Sequence, residues 1–253
     1  MNFLITGGSG GLGRALVLDA LERGHNVAFT YHSNAELAAA VSADGTRIAG
    51  AGICRSYLLD QRDAAAVDSV CSQVIDDFDE VHVLVNNAAV QRTRVAIAVE
   101  DEEWNDILST NLSGPFFLSR QLLPHFVGQG HGRFIHISSV TMWGSRGQIC
   151  YATSKAGLIG LSGTLAREYG HRGITSNVLV LGLMESGMAQ QIEADDATEG
   201  VREFARFWRE ACPVRRQGQF KEIVGLVAYL ASKEASFVNG QAISVTGGLD
   251  WVP

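Results

Sequence analysis

Residues 2–24, NFLITGGSGGLGRALVLDALERG, decide how the rest of the chain is read. The apolar run up to Thr6 has the composition of a buried strand, and LGRALVLDALERG carries apolar residues at helical spacing. Between them lies a turn crowded with glycine. Gly7, Gly11 and Gly13 allow a tight turn, close approach of backbone to a bound group, and close packing of helix on strand. The helix start that follows offers unpaired N–H groups, which suit a pyrophosphate. This stretch therefore assigns Gly7, Ser9, Gly10, Gly11, Leu12 and Gly13 to a dinucleotide site.

Outward from that unit the same alternation repeats. NVAFTY, CRSYLL, VHVLVN, GRFIHISS, ITSNVLVL and QAISV have strand composition. Between them come AELAAAVSA, DAAAVDSVCSQVIDDF, DEEWNDILSTNLSGPFFLSRQLLPHF, YATSKAGLIGLSGTLAREYG and KEIVGLVAYLAS, with helical patterns. Near-continuous apolar strands separated by helices imply parallel pairing with both sheet faces covered. The expectation is one α/β domain over 1–253, a doubly wound parallel sheet of about seven strands with helices on both faces. No repeat or linker interrupts it. The least regular portion, 183–216, carries Phe204, Phe207 and Trp208 at helical spacing. It reads either as a substrate lid or as an ordinary amphipathic surface helix.

With 253 residues, 46% hydrophobic and 19% charged, the chain can bury a large core. Its net charge of −7, with no block of Lys and Arg, argues against nucleic acid and anionic membrane as partners. No targeting leader is evident and no apolar run reaches the roughly 18 residues of a membrane span, so a cytoplasmic location is expected. Cys54, Cys71, Cys150 and Cys212 lack metal-ligand spacing and are expected as reduced thiols; no metal role is assigned.

Two further sites carry chemistry. At the end of the second strand, where an acid would bind the adenosine ribose of NAD, stand Tyr31, His32 and Ser33. A carboxylate would repel a ribose phosphate and these side chains would not, so NADP is favoured over NAD, with Arg14 and His32 as candidate basic partners. In YATSK, Tyr151 and Lys155 are four apart on a helix and share a face, where a cation favours the phenolate. Alone, such a pair is more often a solvated surface pair.

Together TGGSGGLG, LLD ending at Asp60, NNAA at 86–89, TNLSG around Asn111, ISS at 137–139 and YATSK make the chain resemble the short-chain dehydrogenase/reductase family along its whole length. This fold is Rossmann-like. Within the family it is most similar to 3-oxoacyl-acyl-carrier-protein reductases, on stretches such as DEEWNDILSTNLSG, RGITSNV and FVNGQAISVTGG. The resemblance implies a carbonyl reductase in which Tyr151 is the general acid. Lys155 would lower the pKa of that phenol and bind the nicotinamide ribose, and Asn111 would hold a proton-relay water. It also implies adenine contact by Asp60, adenosine-ribose contacts by Asn86, Asn87 and Ala88, nicotinamide contacts by Leu183 and Ser186, and a homotetramer.

The serine that polarises the carbonyl falls on Ser139 by strand register and on Ser138 by distance from Tyr151; strand register favours Ser139. Ser138, Ser139, Trp143 and Tyr151 form the expected substrate wall. Pro115 lacks an N–H and should free the carbonyl of Asn111. Leu181, Ala89 and Thr246 depart from the family's usual Pro, Gly and Asp. No Lys or Arg lies between Arg120 and Arg133, so steering of an acidic carrier would be weak. A free ketone therefore stands beside a carrier-bound thioester as substrate. The competing functions are an NAD-dependent alcohol dehydrogenase and a catalytically silent nucleotide-binding regulator.

Overall fold

All seven apolar runs become strands: β1 (Asn2–Ile5), β2 (Asn26–Tyr31), β3 (Cys54–Leu58), β4 (Val83–Asn86), β5 (Gly132–Ser139), β6 (Ile174–Leu181) and β7 (Ala242–Val245). The computed structural model describes residues 1–48, 50, 52–185, 206, 207 and 210–249. One parallel sheet takes every strand in the order β3-β2-β1-β4-β5-β6-β7. Each residue of β6 is buried, as is every residue of β4, which is why these strands are written almost without polar interruption.

Alternate residues point to opposite sheet faces, and each face has its own core. On one side Phe3, Ile5, Val27, Phe29 and Val85 pack with Leu16, Val17 and Leu21 of α1 (Gly11–Glu22) and with Ile223, Val227 and Leu230 of the C-terminal helix Phe220–Ala231. On the other, Leu4, Ala28, Leu84 and Phe134 pack with α3 (Ala64–Phe78) and α5 (Gly114–Gln129), through Val67, Val70, Leu118, Leu122 and Phe126. Each such side chain contributes about 1.5–3 kcal/mol by leaving water.

The helices are capped where their sequences allow it. Asn34 accepts from Leu37 N–H at the head of α2 (Ala35–Thr46), and Asp63 accepts from Ala65 and Ala66 at the head of α3. At the head of α1 the N-cap is Gly10, with no side-chain cap and no acid in the first turn. Its N–H groups are left for an anion. The sheet order reverses between β1 and β4, and the crevice at such a reversal is where doubly wound sheets bind ligands.

The long run 101–126 is not one regular helix. It divides into α4 (Asp101–Leu108), a π turn (Ser109–Ser113) and α5. Gly114 N–H donates to the Ser109 carbonyl, five residues back. Pro115 follows at once and has no N–H to continue the ladder, so the proline shifts the hydrogen-bond register instead of merely bending the helix. The longest helix among the described residues is α6 (Ile149–Tyr169), which carries Tyr151 and Lys155 against β5 and β6. We number the C-terminal helix Phe220–Ala231 α7.

The 183–216 segment falls mostly outside the described residues, and Ser186, Phe204 and Trp208 lie outside them. Its two ends are joined: Gly218 N–H donates to Leu183 O at 2.9 Å, and Glu185 N–H to Gly218 O at 2.8 Å.

Candidate active site

The glycine turn is the shared rim of two clefts above the carboxyl ends of the strands. The larger, about 600 Å³, runs from Gly7, Ser9 and Gly10 past Tyr31, His32, Ser33 and Asp60 to Asn87, Ala88 and Thr110. The smaller, about 260 Å³, is walled by Gly11, Leu12, Ser139, Tyr151, Leu183 and Gln148. The turn has no room for a side chain at Gly7, Gly8 or Gly13, while Gly10 and Gly11 face open space. A Cβ on Gly13 would lie 2.0 Å from Gly7 O, and Gly7 has φ +66°. Thr30 holds the turn through Gly8 N–H to Thr30 O at 2.9 Å and Gly7 N–H to Thr30 Oγ1 at 3.3 Å.

A dinucleotide fits this rim because the uncapped head of α1 faces the approach that the glycines leave open. At the end of β2 the side chains Tyr31, His32 and Ser33 all line the larger cleft, and no carboxylate of β2 stands there. Arg14 does not line it. Its guanidinium is bound to Asp44 at 2.8 Å, which corrects its candidacy as the phosphate partner. Asp60 does reach the cleft, 3.7 Å from His32 Nε2, but Arg62 grips it from 2.6 Å and holds its carboxyl down to about 2.

The NNA loop after β4 divides its two amides. Asn87 Nδ2 donates to Thr6 O at 2.9 Å and to Gly7 O at 3.3 Å, tying the loop to the glycine turn. Asn86, expected on the adenosine ribose, is instead in the core: 3% exposed, its Nδ2 lies 3.1 Å from His136 Nδ1. As the last residue of β4 it alternates inward, away from the cleft. Thr6 was not singled out by the sequence, yet its hydroxyl accepts from the N–H groups of Asn87 and Ala88 at 3.0 and 2.9 Å. Its position directly before the glycines was the available signal.

In the smaller cleft Ser139 and Tyr151 stand in the same wall. Ser139 Oγ accepts from Thr141 N–H at 3.3 Å and from Thr141 Oγ1 at 3.1 Å, which leaves its own proton free to donate. Ser138, expected beside the substrate, also lines this cleft, but its hydroxyl donates to the Lys155 carbonyl at 3.0 Å. Strand alternation sends it there. Trp143 is 68% exposed and lines a separate surface cleft with Ile149 and Thr153, so it is not in the wall around Tyr151. Gln148 and Gln91 are in that wall and were missed; Gln148 is 8% exposed and its Oε1 has no partner.

Lys155 is 3% exposed and donates from Nζ to Ile137 O at 2.7 Å, with Nζ 5.5 Å from the centre of the Tyr151 ring. Burial lowers its ammonium from 10.5 to about 8. Burial also pushes the Tyr151 phenol up to about 12, against a smaller lowering by the Ser139 hydroxyl. Removal from water dominates the phenol, and the Lys155 ammonium gives its hydrogen bond to Ile137.

Asn111 is 1% exposed and its side chain is fully engaged. Oδ1 accepts from Val90 N–H at 2.8 Å, and Nδ2 donates to Val90 O at 2.8 Å and Ser154 Oγ at 3.1 Å. The amide thus pins the loop after Ala88 to the π turn, while Pro115, with no N–H, leaves the Asn111 backbone carbonyl without its α-helical donor.

Comparisons with known proteins agree with this geometry. The sequence model of a family described as enoyl-(acyl carrier protein) reductase matches residues 7–250. The chain is 39% identical to the 3-oxoacyl-[acyl-carrier-protein] reductase FabG of Escherichia coli, over 98% of this chain and 99% of that protein. It is 35% identical to the reductase of the same name from Staphylococcus epidermidis, over 97% of each. Among solved structures, levodione reductase superposes with a TM-score of 0.90 at 28% identity, covering 98% of this chain and 97% of the other. A short chain dehydrogenase from Bacillus anthracis superposes at 0.85 and 26% identity, covering 99% and 97%. The parallel sheet, the glycine turn before α1 and these full-length similarities place the chain in the short-chain dehydrogenase/reductase family of oxidoreductases.

Proposed function

We propose that the protein is an NADPH-dependent reductase of 3-oxoacyl thioesters, converting the ketone to the alcohol. The observation that carries this reading is the meeting of the Tyr151 phenol and the Ser139 hydroxyl in one small cleft beside the glycine turn, with the buried Lys155 Nζ 5.5 Å from the centre of the Tyr151 ring. When bound, the dihydronicotinamide supplies the hydride for the carbonyl carbon.

The chain's own residues supply the proton and its return path. Ser139 donates to the carbonyl oxygen and draws electron density onto it. Tyr151, kept protonated by burial, gives its proton to that oxygen as negative charge develops. The phenolate left behind is stabilised by the Lys155 ammonium, which at about 8 lies near enough to neutral pH to exchange a proton with solvent. A water on the Asn111 carbonyl completes the path from Lys155 outward. Gly7, Ser9, Gly10, Gly11, Leu12 and Gly13 would hold the pyrophosphate, Asp60, Asn87 and Ala88 the adenosine, Tyr31, His32 and Ser33 the 2′-phosphate, and Leu183 the nicotinamide.

Support for a 3-oxoacyl thioester comes from the names of the relatives at 35–39% identity and from a Tyr151 cleft with no charged lining side chain among the described residues, suited to an uncharged reacting group. We further propose a cytoplasmic homotetramer that acts on carrier-bound or simple thioesters. The test is NADPH consumption against 3-oxoacyl thioesters, carrier-bound and free, and against simple ketones. Turnover of the thioesters, lost in Tyr151→Phe, is expected. Equal turnover by Tyr151→Phe, or preference for NADH, would overturn the assignment.

A further inference from the structure

Gln61 has no part in the machinery assigned above, yet its carboxamide is buried between three segments that line the site. It is 6% exposed and directly follows Asp60, in the wall of the nucleotide cleft. Its Nε2 donates to Thr110 O in the π turn at 2.7 Å and reaches Ala88 O at 3.4 Å. Gly114 makes room for it: a Cβ there would meet Gln61 Cγ at 2.7 Å.

The backbone explains why Thr110 requires a donor from elsewhere. In α geometry its carbonyl would accept from Gly114 N–H, but that group is given to Ser109 O. In π geometry the next donor is residue 115, a proline with no N–H. A carbonyl deprived of both partners requires another, and a side chain 49 residues earlier supplies it. The same proline denies Asn111 O its α-helical donor.

We propose that Gln61 is a positioning residue for the Asn111 carbonyl. With Thr110 O satisfied from outside, Gly114 N–H stays on Ser109 O and the turn keeps its π register. Without that donor, Gly114 N–H is drawn to Thr110 O, the turn tightens toward α geometry, and the next peptide, which carries the Asn111 carbonyl, rotates away from the relay. This inference rests on the relay role proposed for Asn111.

Two variants test it. Gln61→Met keeps the length and removes the donor. Gln61→Glu accepts but cannot donate when ionised, and donates again when protonated. For Gln61→Met, kcat is expected to fall about ten- to hundredfold, the scale of a misplaced catalytic group. KM for the ketone and the NADPH Kd should stay within about threefold, and the solvent deuterium isotope effect on kcat should rise as proton refilling becomes limiting. The activity of Gln61→Glu relative to wild type should recover as pH falls from 8 to 5.5; Asp60, Arg62 and Asp106 are common to both proteins and cancel in that ratio. Unchanged kcat in both variants, a kcat loss matched by an equal loss of NADPH affinity, or a pH-independent ratio for Gln61→Glu would each overturn the inference. Should Gln61→Met fail to fold, the Gln61→Glu ratio decides alone. Tyr151→Phe assayed in parallel separates the two ideas. If it stays active the site reading fails, and if it is dead while both Gln61 variants are normal, only the role of Gln61 fails.

Discussion

Replacing Lys155 with Met should make the protein more stable while destroying its activity. The ammonium is 3% exposed, and its drop from 10.5 to about 8 on folding means that the charged form is disfavoured by about 3 kcal/mol, at about 1.4 kcal/mol per tenfold. The variant forfeits the bond from Nζ to Ile137 O, worth about 1 kcal/mol net. A gain of about 2 kcal/mol at pH 7 remains, of the kind seen when a buried charge is replaced by an apolar side chain of similar volume. The pH dependence is the sharper signature. In the folded protein Lys155 loses its proton near pH 8, whereas the unfolded chain keeps it to 10.5. In that window the unfolded chain binds more protons, so rising pH favours the folded wild type; below pH 8 both states are charged and the penalty is full. Urea unfolding of both proteins at pH 7 and pH 10, at one protein concentration, should show the advantage of Lys155→Met shrinking by about 2–3 kcal/mol. A difference that does not change with pH, or a less stable variant at pH 7, would refute the reasoning.

Other consequences follow from single contacts. Gly13→Ala should abolish NADPH binding as followed by fluorescence, because its Cβ would sit 2.0 Å from a backbone oxygen that cannot yield. His32→Ala should raise the Kd for NADPH several-fold and leave that for NADH alone, while Arg14→Ala, its charge already held by Asp44, should change neither beyond about twofold. Asn111→Ala strands the N–H and C=O of Val90 and should cost about 2–3 kcal/mol in denaturant unfolding. Trp143→Ala, outside the Tyr151 cleft, should leave KM within about twofold.

What the sequence made legible was whatever depends on local pattern. Strands buried on both faces, as β4 and β6 are, have to be written in unbroken apolar residues and could be located from that alone; the half-exposed edge strands β3 and β7 were found by their place in the alternation, and the glycine turn is legible because the space around Gly13 admits no other residue. Alternation along β5 separated Ser139 from Ser138. Two adjacent amides gave no such guide, since nothing local says whether Asn86 or Asn87 is the residue that turns inward. Pro115 announced a break in the helix. It could not say that the break would be a π turn, nor that Gln61 would supply the missing donor, because that contact spans 49 residues. The pKa of Tyr151 was equally out of reach: spacing puts a cation beside the phenol, but only packing tells that burial dominates the phenol.

Hydride transfer itself is the most direct test. NADPH deuterated at C4, supplied in each stereochemical form with a 3-oxoacyl thioester, should place deuterium on C3 of the hydroxyacyl product from one form only. Product unlabelled from both forms, or label on a carbon other than the carbinol, would contradict the account.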